Sequence, residues 1–469
     1  MTTVIHDTTV ITPMGADVRV LPGHSLVLRD GRVAALAPAS EFAPRVGDGA
    51  FDDVIRGHDH LVIPGLVNTH HHLYQSLTRC LPGAQNDRLF DWLTKLYEPW
   101  RRVSHRAVNL AAKVSIAELL LSGCTTTVDH FYLLPPHSDV RVETVLMAAE
   151  ELGIRIHLGR GSMTLGQSHG GLPPDDIIER DADVLADCER VLDAHHDPDP
   201  YALRRIDLAP CSPFNVTPEL LRDTCLLARE RGVLLHTHVA ETREEEAYCL
   251  ETFGRRPVQA MADLGWLGSD VYLAHCVQLN DAEIDLLART QTGVSHNPTS
   301  NMRLGSGIAP VEKLLRAEVR VGLGVDGSSS NDGGSMLSAA RHAWLAARTL
   351  AGVTAQAGSS TSGTSGALFS VADAFRLATT GGAACLHRDC LGHLNPGAAA
   401  DVAMFRIDDI ALAGAVVQDP VAALIMCDAP RADRVFVAGR EVVRDGRIVA
   451  IDEAALVCEF NELVRSDFT

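Results

Sequence analysis

The run IPGLVNTHHHLYQSLTR, residues 63–79, decides how this chain is read. Its apolar first half reads as a buried strand, and His70 and His72 close that strand. Side chains two apart on a strand share one face and lie about 7 Å apart along it, so both imidazoles can reach one metal ion. Pro64 and Gly65 argue against a helix, and the helical H-E-x-x-H spacing is absent. His71 points to the other face and is expected to pack against a helix.

Working outward, short apolar runs alternate with amphipathic stretches, the pattern of repeated βα units around a parallel sheet. Eight runs read as strands, LVIPGLVNTHHH, CTTTVDHFY, IRIHLGRGS, IDLAPCSPF, VLLHTHVAE, VYLAHCVQL, GVSHNPTSN and VRVGLGVDGSS, starting near residues 61, 124, 154, 206, 233, 271, 293 and 319. Eight such units predict an α/β fold, a closed (β/α)8 TIM-type barrel whose chemistry gathers at the C-terminal strand ends. The chain ends differ. HSLVLRDGRVAALAP near the start and ADRVFVAGREVVRDGRIVA at 432–450 alternate around Asp-Gly turns, so both termini are expected to build one small β-sandwich. The expected division is residues 1–62 and 395–469 for that module and 63–394 for the barrel.

Composition excludes several functions. The chain has 469 residues, 46% hydrophobic, enough for a large core without crosslinks. A formal charge of −19 repels nucleic-acid phosphates and anionic membranes, leaving a small molecule as the expected partner. No signal-like segment and no run of about 18 apolar residues is present, so a cytoplasmic location is expected. Eleven cysteines, with no C-x-x-C pair, are read as reduced thiols. Residues 161–181, Gly- and Pro-containing, are expected to form a loop that serves as a lid, and the low-complexity stretch 351–367 a mobile surface loop.

The polar clusters fall at strand ends. The first strand brings His70 and His72, the fifth His236, His238 and Glu241, the sixth His275, and the eighth Asp326 and Ser328. In a closed barrel the eighth strand neighbours the first, which sets Asp326 beside the two leading histidines. Three histidines and one aspartate suit Zn²⁺ or Fe²⁺ better than the oxygen-loving Mg²⁺ and Ca²⁺. His236 and His238 share a face, so periodicity does not choose between them. His238 is preferred because it is nearer the mouth, with Glu241 three residues on and His236 a layer deeper.

Strand-end H-x-H, then HVAE, AHC and GVDGS, with LGHLNPGAAADVAMF returning to the terminal module, resembles the amidohydrolase superfamily along nearly the whole chain. Binuclear members bridge two metals with a modified Lys on the fourth strand. IDLAPCSPF has none, and Lys95, Lys113 and Lys313 all lie away from strand ends, so the resemblance implies a mononuclear deaminase of aminated N-heterocycles. HHHLYQSLTRCLPGAQNDRLFDWLTKLYEPW and RGSMTLGQSHGGLPPDD are similar to the 8-oxoguanine deaminases and, more loosely, to hydroxyatrazine-type aminohydrolases. The resemblance implies one divalent metal, Zn²⁺ or Fe²⁺, on His70, His72, His238 and Asp326, and a homo-oligomer. Asp326 would take a proton from water, His275 would hold the attacking oxygen, and Glu241 would protonate the ring nitrogen.

Gln75, whose amide both donates and accepts, is the leading pocket candidate. Trp92, Tyr132 and Cys211 read either as pocket lining or as core. Arg79 and Arg160 read as carbonyl contacts or loop anchors, and Asn297 and Asn301 as ties on local backbone.

Overall fold

A computed structural model describes residues 2–356, 369–428 and 430–468. The terminal strands are β1 (Thr2–Met14), β2 (Asp17–Arg29), β3 (Arg32–Pro38), β4 (Asp53–Arg56) and β5 (His60–Pro64). The next eight are β6 (Leu66–Asn68), β7 (Cys124–Phe131), β8 (Arg155–Ser162), β9 (Arg204–Pro210), β10 (Leu235–Val239), β11 (Val271–His275), β12 (Gly293–His296) and β13 (Val321–Leu323). Then come β14 (Val402–Arg406), β15 (Arg434–Val437), β16 (Arg440–Arg444) and β17 (Arg447–Ile448).

Strands β6–β13 pair in parallel into a closed barrel, sealed where Leu323 of β13 meets Asn68 of β6. This is the expected (β/α)8 architecture, and its strands begin within a few residues of the positions read from the apolar runs. One expectation is corrected. The run starting at residue 61 is two strands: β5 belongs to the terminal sheet, and only β6 enters the barrel. The chain turns at Gly65, where a Cβ would sit 2.1 Å from Thr125 Oγ1, too close for any larger residue.

The remaining strands form one sheet in the order β17-β16-β15-β14-β5-β1-β2-β3, with β4 alongside β1. The Asp-Gly signals are hairpin turns: Asp30 and Gly31 have φ of 52° and 73°, Asp445 and Gly446 of 51° and 67°, the left-handed pair a type I′ turn requires. The sheet curls back on itself, since Val33 N–H donates to Ala398 O at 2.8 Å and Ala400 N–H to Gly31 O at 2.9 Å. Ile5, Val10, Leu26, Val62, Val402 and Phe436 fill the space inside. Arg155, at the base of β8, joins this module to the barrel through a buried two-pronged bond to Asp401, at 3.1 and 3.0 Å.

No helix among the described residues is long and apolar enough to cross a membrane. Of the stretch 351–367, residues 351–356 continue the helix Met336–Gln356, and the rest lies outside the described residues. None of the described cysteines is in a disulfide.

Candidate active site

The regular strand β6 stops at Asn68, so His70 and His72 follow it instead of belonging to it. The backbone stays tied to both neighbours all the same. Asp326 N–H donates to His70 O at 3.0 Å, and His130 N–H to His71 O at 2.7 Å. The two rings meet edge to face with centroids 4.7 Å apart. His238 comes from β10, His275 ends β11, and Asp326 follows β13, so five sequence-distant side chains converge at one mouth of the barrel. Ala240, His275, Cys276 and Asp326 adopt left-handed backbone, φ 56°, 73°, 50° and 64°, conformations that tertiary packing must enforce on residues other than glycine.

The hydrogen bonds fix where protons sit. His72 Nδ1 lies 2.7 Å from His130 O and His238 Nδ1 lies 2.6 Å from Cys211 O. A carbonyl oxygen only accepts, so both Nδ1 atoms carry hydrogen and both Nε2 atoms present lone pairs when the rings are neutral. Those two Nε2 atoms face each other at 3.2 Å. Asp326 Oδ1 stands 3.4 Å from His70 Nε2 and 3.3 Å from His72 Nε2, and His70 Nε2 is buried without a hydrogen-bond partner. Burial holds His70 and His238 well below the ordinary histidine value and lowers His72, so these rings are neutral. Burial alone would raise Asp326, but the surrounding imidazoles, among them the upward-shifted His275, outweigh it and the net shift is well downward.

Facing lone pairs in a dry site repel unless a cation sits between them. The spacing fits one: ligand bonds of about 2.0–2.1 Å in a tetrahedron put donors about 3.3 Å apart. The donor set therefore fits a divalent ion that takes nitrogen and oxygen.

Beside this cluster, His275 Nδ1 donates to Asn301 Oδ1 at 2.8 Å, leaving Nε2 3.6 Å from Glu241 Oε2 and 3.9 Å from Asp326 Oδ2. Burial lowers the His275 value, but Glu241 and Asp326 outweigh it and the net shift is upward. Glu241 is pushed up to about 7, chiefly by burial, with His275 pulling it down and Asp326 pushing it further up. The turn carrying Glu241 is held by Glu245, whose carboxylate accepts Ala240 N–H and Glu241 N–H, each at 2.7 Å.

The cavity above the cluster is lined by Gln75, Trp92, Tyr132 and Cys211 together with His72, His238, Glu241, His275 and Asp326, and its empty space, mouth included, is about 380 Å³. All four pocket candidates are thus brought to the site. Gln75 sits on the 3-10 turn Leu73–Thr78 with Oε1 buried and unpartnered. A Cβ on Gly327 would fall 1.9 Å from that atom, so the glycine of the GVDGS motif makes room for the amide. Burial pushes the Cys211 thiol up to about 12, so it stays protonated.

Other expectations change. Residues 161–181 line no part of this cavity. The loop instead rests on the pocket wall, Thr164 N–H and Leu165 N–H donating to Asn215 O at 2.9 and 3.1 Å, and Asp176 pairing with Arg101. Arg160 is an anchor for it, bonded to Glu179 and Asp187, and Arg79 is likewise held by Glu118 and Ser328. Asn301 orients a site histidine, a role beyond tying backbone, while Asn297 accepts from Ser295 Oγ. His71 is fully buried, and burial pushes it down to about 3. His130, Ser212 and Asn215 were not singled out in the sequence. His130 stacks on His238 at 4.6 Å, and Ser212 and Asn215 line the cavity. Period-two alternation from Tyr132 would have turned His130 inward as well.

Residues 61–442 match the Amidohydrolase family, and the chain belongs to that family. Its site is that of a metal-dependent hydrolase acting on C–N bonds of aminated heterocycles, with one divalent metal ion as cofactor. It is 43% identical to an 8-oxoguanine deaminase of Pseudomonas aeruginosa, with 92% of each chain covered. It is also 37% identical to an isoxanthopterin deaminase from an unknown prokaryotic organism, covering 90% of this chain and 88% of that one. Among solved structures, a zinc complex of the atrazine chlorohydrolase TrzN from Arthrobacter aurescens TC1 superposes with a TM-score of 0.90 at 31% identity, over 98% of this chain and all of that one.

Proposed function

We propose that this chain deaminates 8-oxoguanine hydrolytically, giving urate and ammonia, on one ion held by His70, His72, His238 and Asp326. The observation that carries the metal chemistry is the chain of close approaches among three imidazole lone pairs and one ionised carboxylate: His238 to His72 at 3.2 Å, His72 to Asp326 at 3.3 Å and Asp326 to His70 at 3.4 Å. Similarity to a named 8-oxoguanine deaminase over nine-tenths of both chains supports the choice of ring. None of the three lysines reaches the site: Lys95, Lys113 and Lys313 pair with Asp87, Glu151 and Asp281, which favours one metal over a lysine-bridged pair.

When bound, the ion supplies Lewis acidity, which brings the pKa of a coordinated water down towards about 7. Asp326 takes the first proton of the attacking water, and protonated His275 holds the oxygen through Nε2–H as it bonds to the amine-bearing ring carbon. Glu241, raised to about 7 chiefly by burial and so able to carry a proton near neutral pH, gives it to the adjacent ring nitrogen. Asp326 then hands its proton to the departing amine, the C–N bond breaks, and Glu241 recovers a proton from the new hydroxyl as the carbonyl forms. Gln75 reads a donor–acceptor edge of the ring, and Trp92 and Tyr132 wall its flat faces.

The test is ammonia release from 8-oxoguanine, guanine, isoxanthopterin and a hydroxytriazine amine by metal-loaded enzyme. The highest kcat/KM on 8-oxoguanine is expected; a preference for the pterin or the triazine would reassign the ring and leave the chemistry in place.

A further inference from the structure

His236 lies outside the donor cluster, one layer down the barrel, yet it touches His70. Its Nδ1 is 2.8 Å from Tyr272 O, and its Nε2 is 2.7 Å from His70 Nδ1. A carbonyl oxygen only accepts, so the hydrogen of a neutral His236 sits on Nδ1 and its Nε2 presents a lone pair. His70 must therefore carry its hydrogen on Nδ1, which leaves its Nε2 bare. That is the nitrogen found buried and unpartnered, 3.4 Å from Asp326. With the other tautomer of His70, two lone pairs would meet at 2.7 Å and an N–H would point at the donor cluster.

The orientation of His236 is itself fixed. Its ring stacks on Tyr272 at 4.0 Å and 13°, and Tyr272 O–H donates to Asp207 Oδ2 at 2.9 Å. The Asp207 carboxylate is held in turn by His157, whose Nδ1 lies 3.2 Å from Oδ2 and 3.3 Å from Oδ1. His72 and His238 are locked by main-chain carbonyls, which no substitution removes, whereas the lock on His70 is a side chain.

We infer that His236 is a positioning residue that selects the Nδ1–H tautomer of His70 and so aims its Nε2 lone pair at the metal. The inference rests on His70 being a ligand. Partners of this kind behind a ligating histidine change metal affinity by about 10–100-fold when removed.

Two measurements test it. In metal-free enzyme, ¹⁵N spectra of the histidine rings should show His70 as the Nδ1–H tautomer; an Nε2–H signal would overturn the assignment. In zinc titrations against a competing chelator, His236→Leu should weaken binding about 10–100-fold. His236→Gln, whose amide can accept from His70 and donate to Tyr272 O, should stay within a few-fold of the parent. A folded Leu variant that binds zinc as tightly as the parent would sink the inference; if that variant does not fold, the ring spectra and the Gln variant decide. Failure of the parent itself to bind zinc would instead defeat the metal-site reading.

Discussion

His275 Nε2 lies 3.6 Å from Glu241 Oε2, two buried groups drawn together from the ends of adjacent strands. Each shifts the other: Glu241 in its ionised form raises His275, and His275 in its charged form limits how far burial raises Glu241. The pair thus offers one donor for an incoming oxygen and one acid for a ring nitrogen, side by side.

Glu241→Gln keeps the shape of the side chain and removes the transferable proton. Turnover should fall by about 10²–10⁴-fold with zinc content unchanged, measured by ammonia release and metal analysis on the same sample. Near-parental kcat would contradict the acid role.

Removing the ion should remove activity. Dialysis against a strong chelator is expected to abolish turnover, and adding back about one equivalent of Zn²⁺ to restore it. Asp326→Asn should lower both zinc content and rate; full activity in chelated enzyme would refute a metal-assisted reaction.

Gln75 has a buried amide oxygen with no protein partner, which a substrate donor is expected to fill. Leaving a buried polar group unpaired costs about 1–3 kcal/mol, so Gln75→Leu should cut kcat/KM roughly 5–150-fold without loss of zinc. An unchanged kcat/KM would place the ring elsewhere in the cavity.

Asp129 predicts a pH dependence of stability. Its Oδ1 accepts Leu73 N–H at 2.8 Å, while Oδ2 is buried without a partner. Burial pushes this carboxyl up to about 7, opposed by the Leu73 N–H. The folded chain therefore keeps a proton that the unfolded chain releases near the ordinary aspartate value. Its contribution to stability is complete at low pH and is lost as pH rises towards 7. Asp129→Asn, neutral throughout, should lose less stability than the parent between pH 5 and 8, read from denaturant midpoints at both. Equal losses in the two proteins would show Asp129 ionised in the fold.

The sequence by itself determined the repeat of βα units, the hairpin turns and the residue types of the site. These depend on local physics: apolar runs of strand length, Asp-Gly pairs suited to left-handed turns, and imidazoles and carboxylates at strand ends. The run from residue 61 reads as a single strand, because it is apolar on both sides of Gly65; pairing with distant strands divides it, β5 with β1 and β14, β6 with β7 and β13. Periodicity did not separate His236 from His238, which share a face; nearness to the mouth favoured His238. Tertiary structure sets His238 Nε2 against His72 Nε2, turns His236 behind His70 and gives Asn301 its hold on His275. The reason is physical: strand periodicity fixes which way a side chain faces, while the nitrogen that bears the proton depends on the acceptor opposite it, which comes from a distant part of the chain.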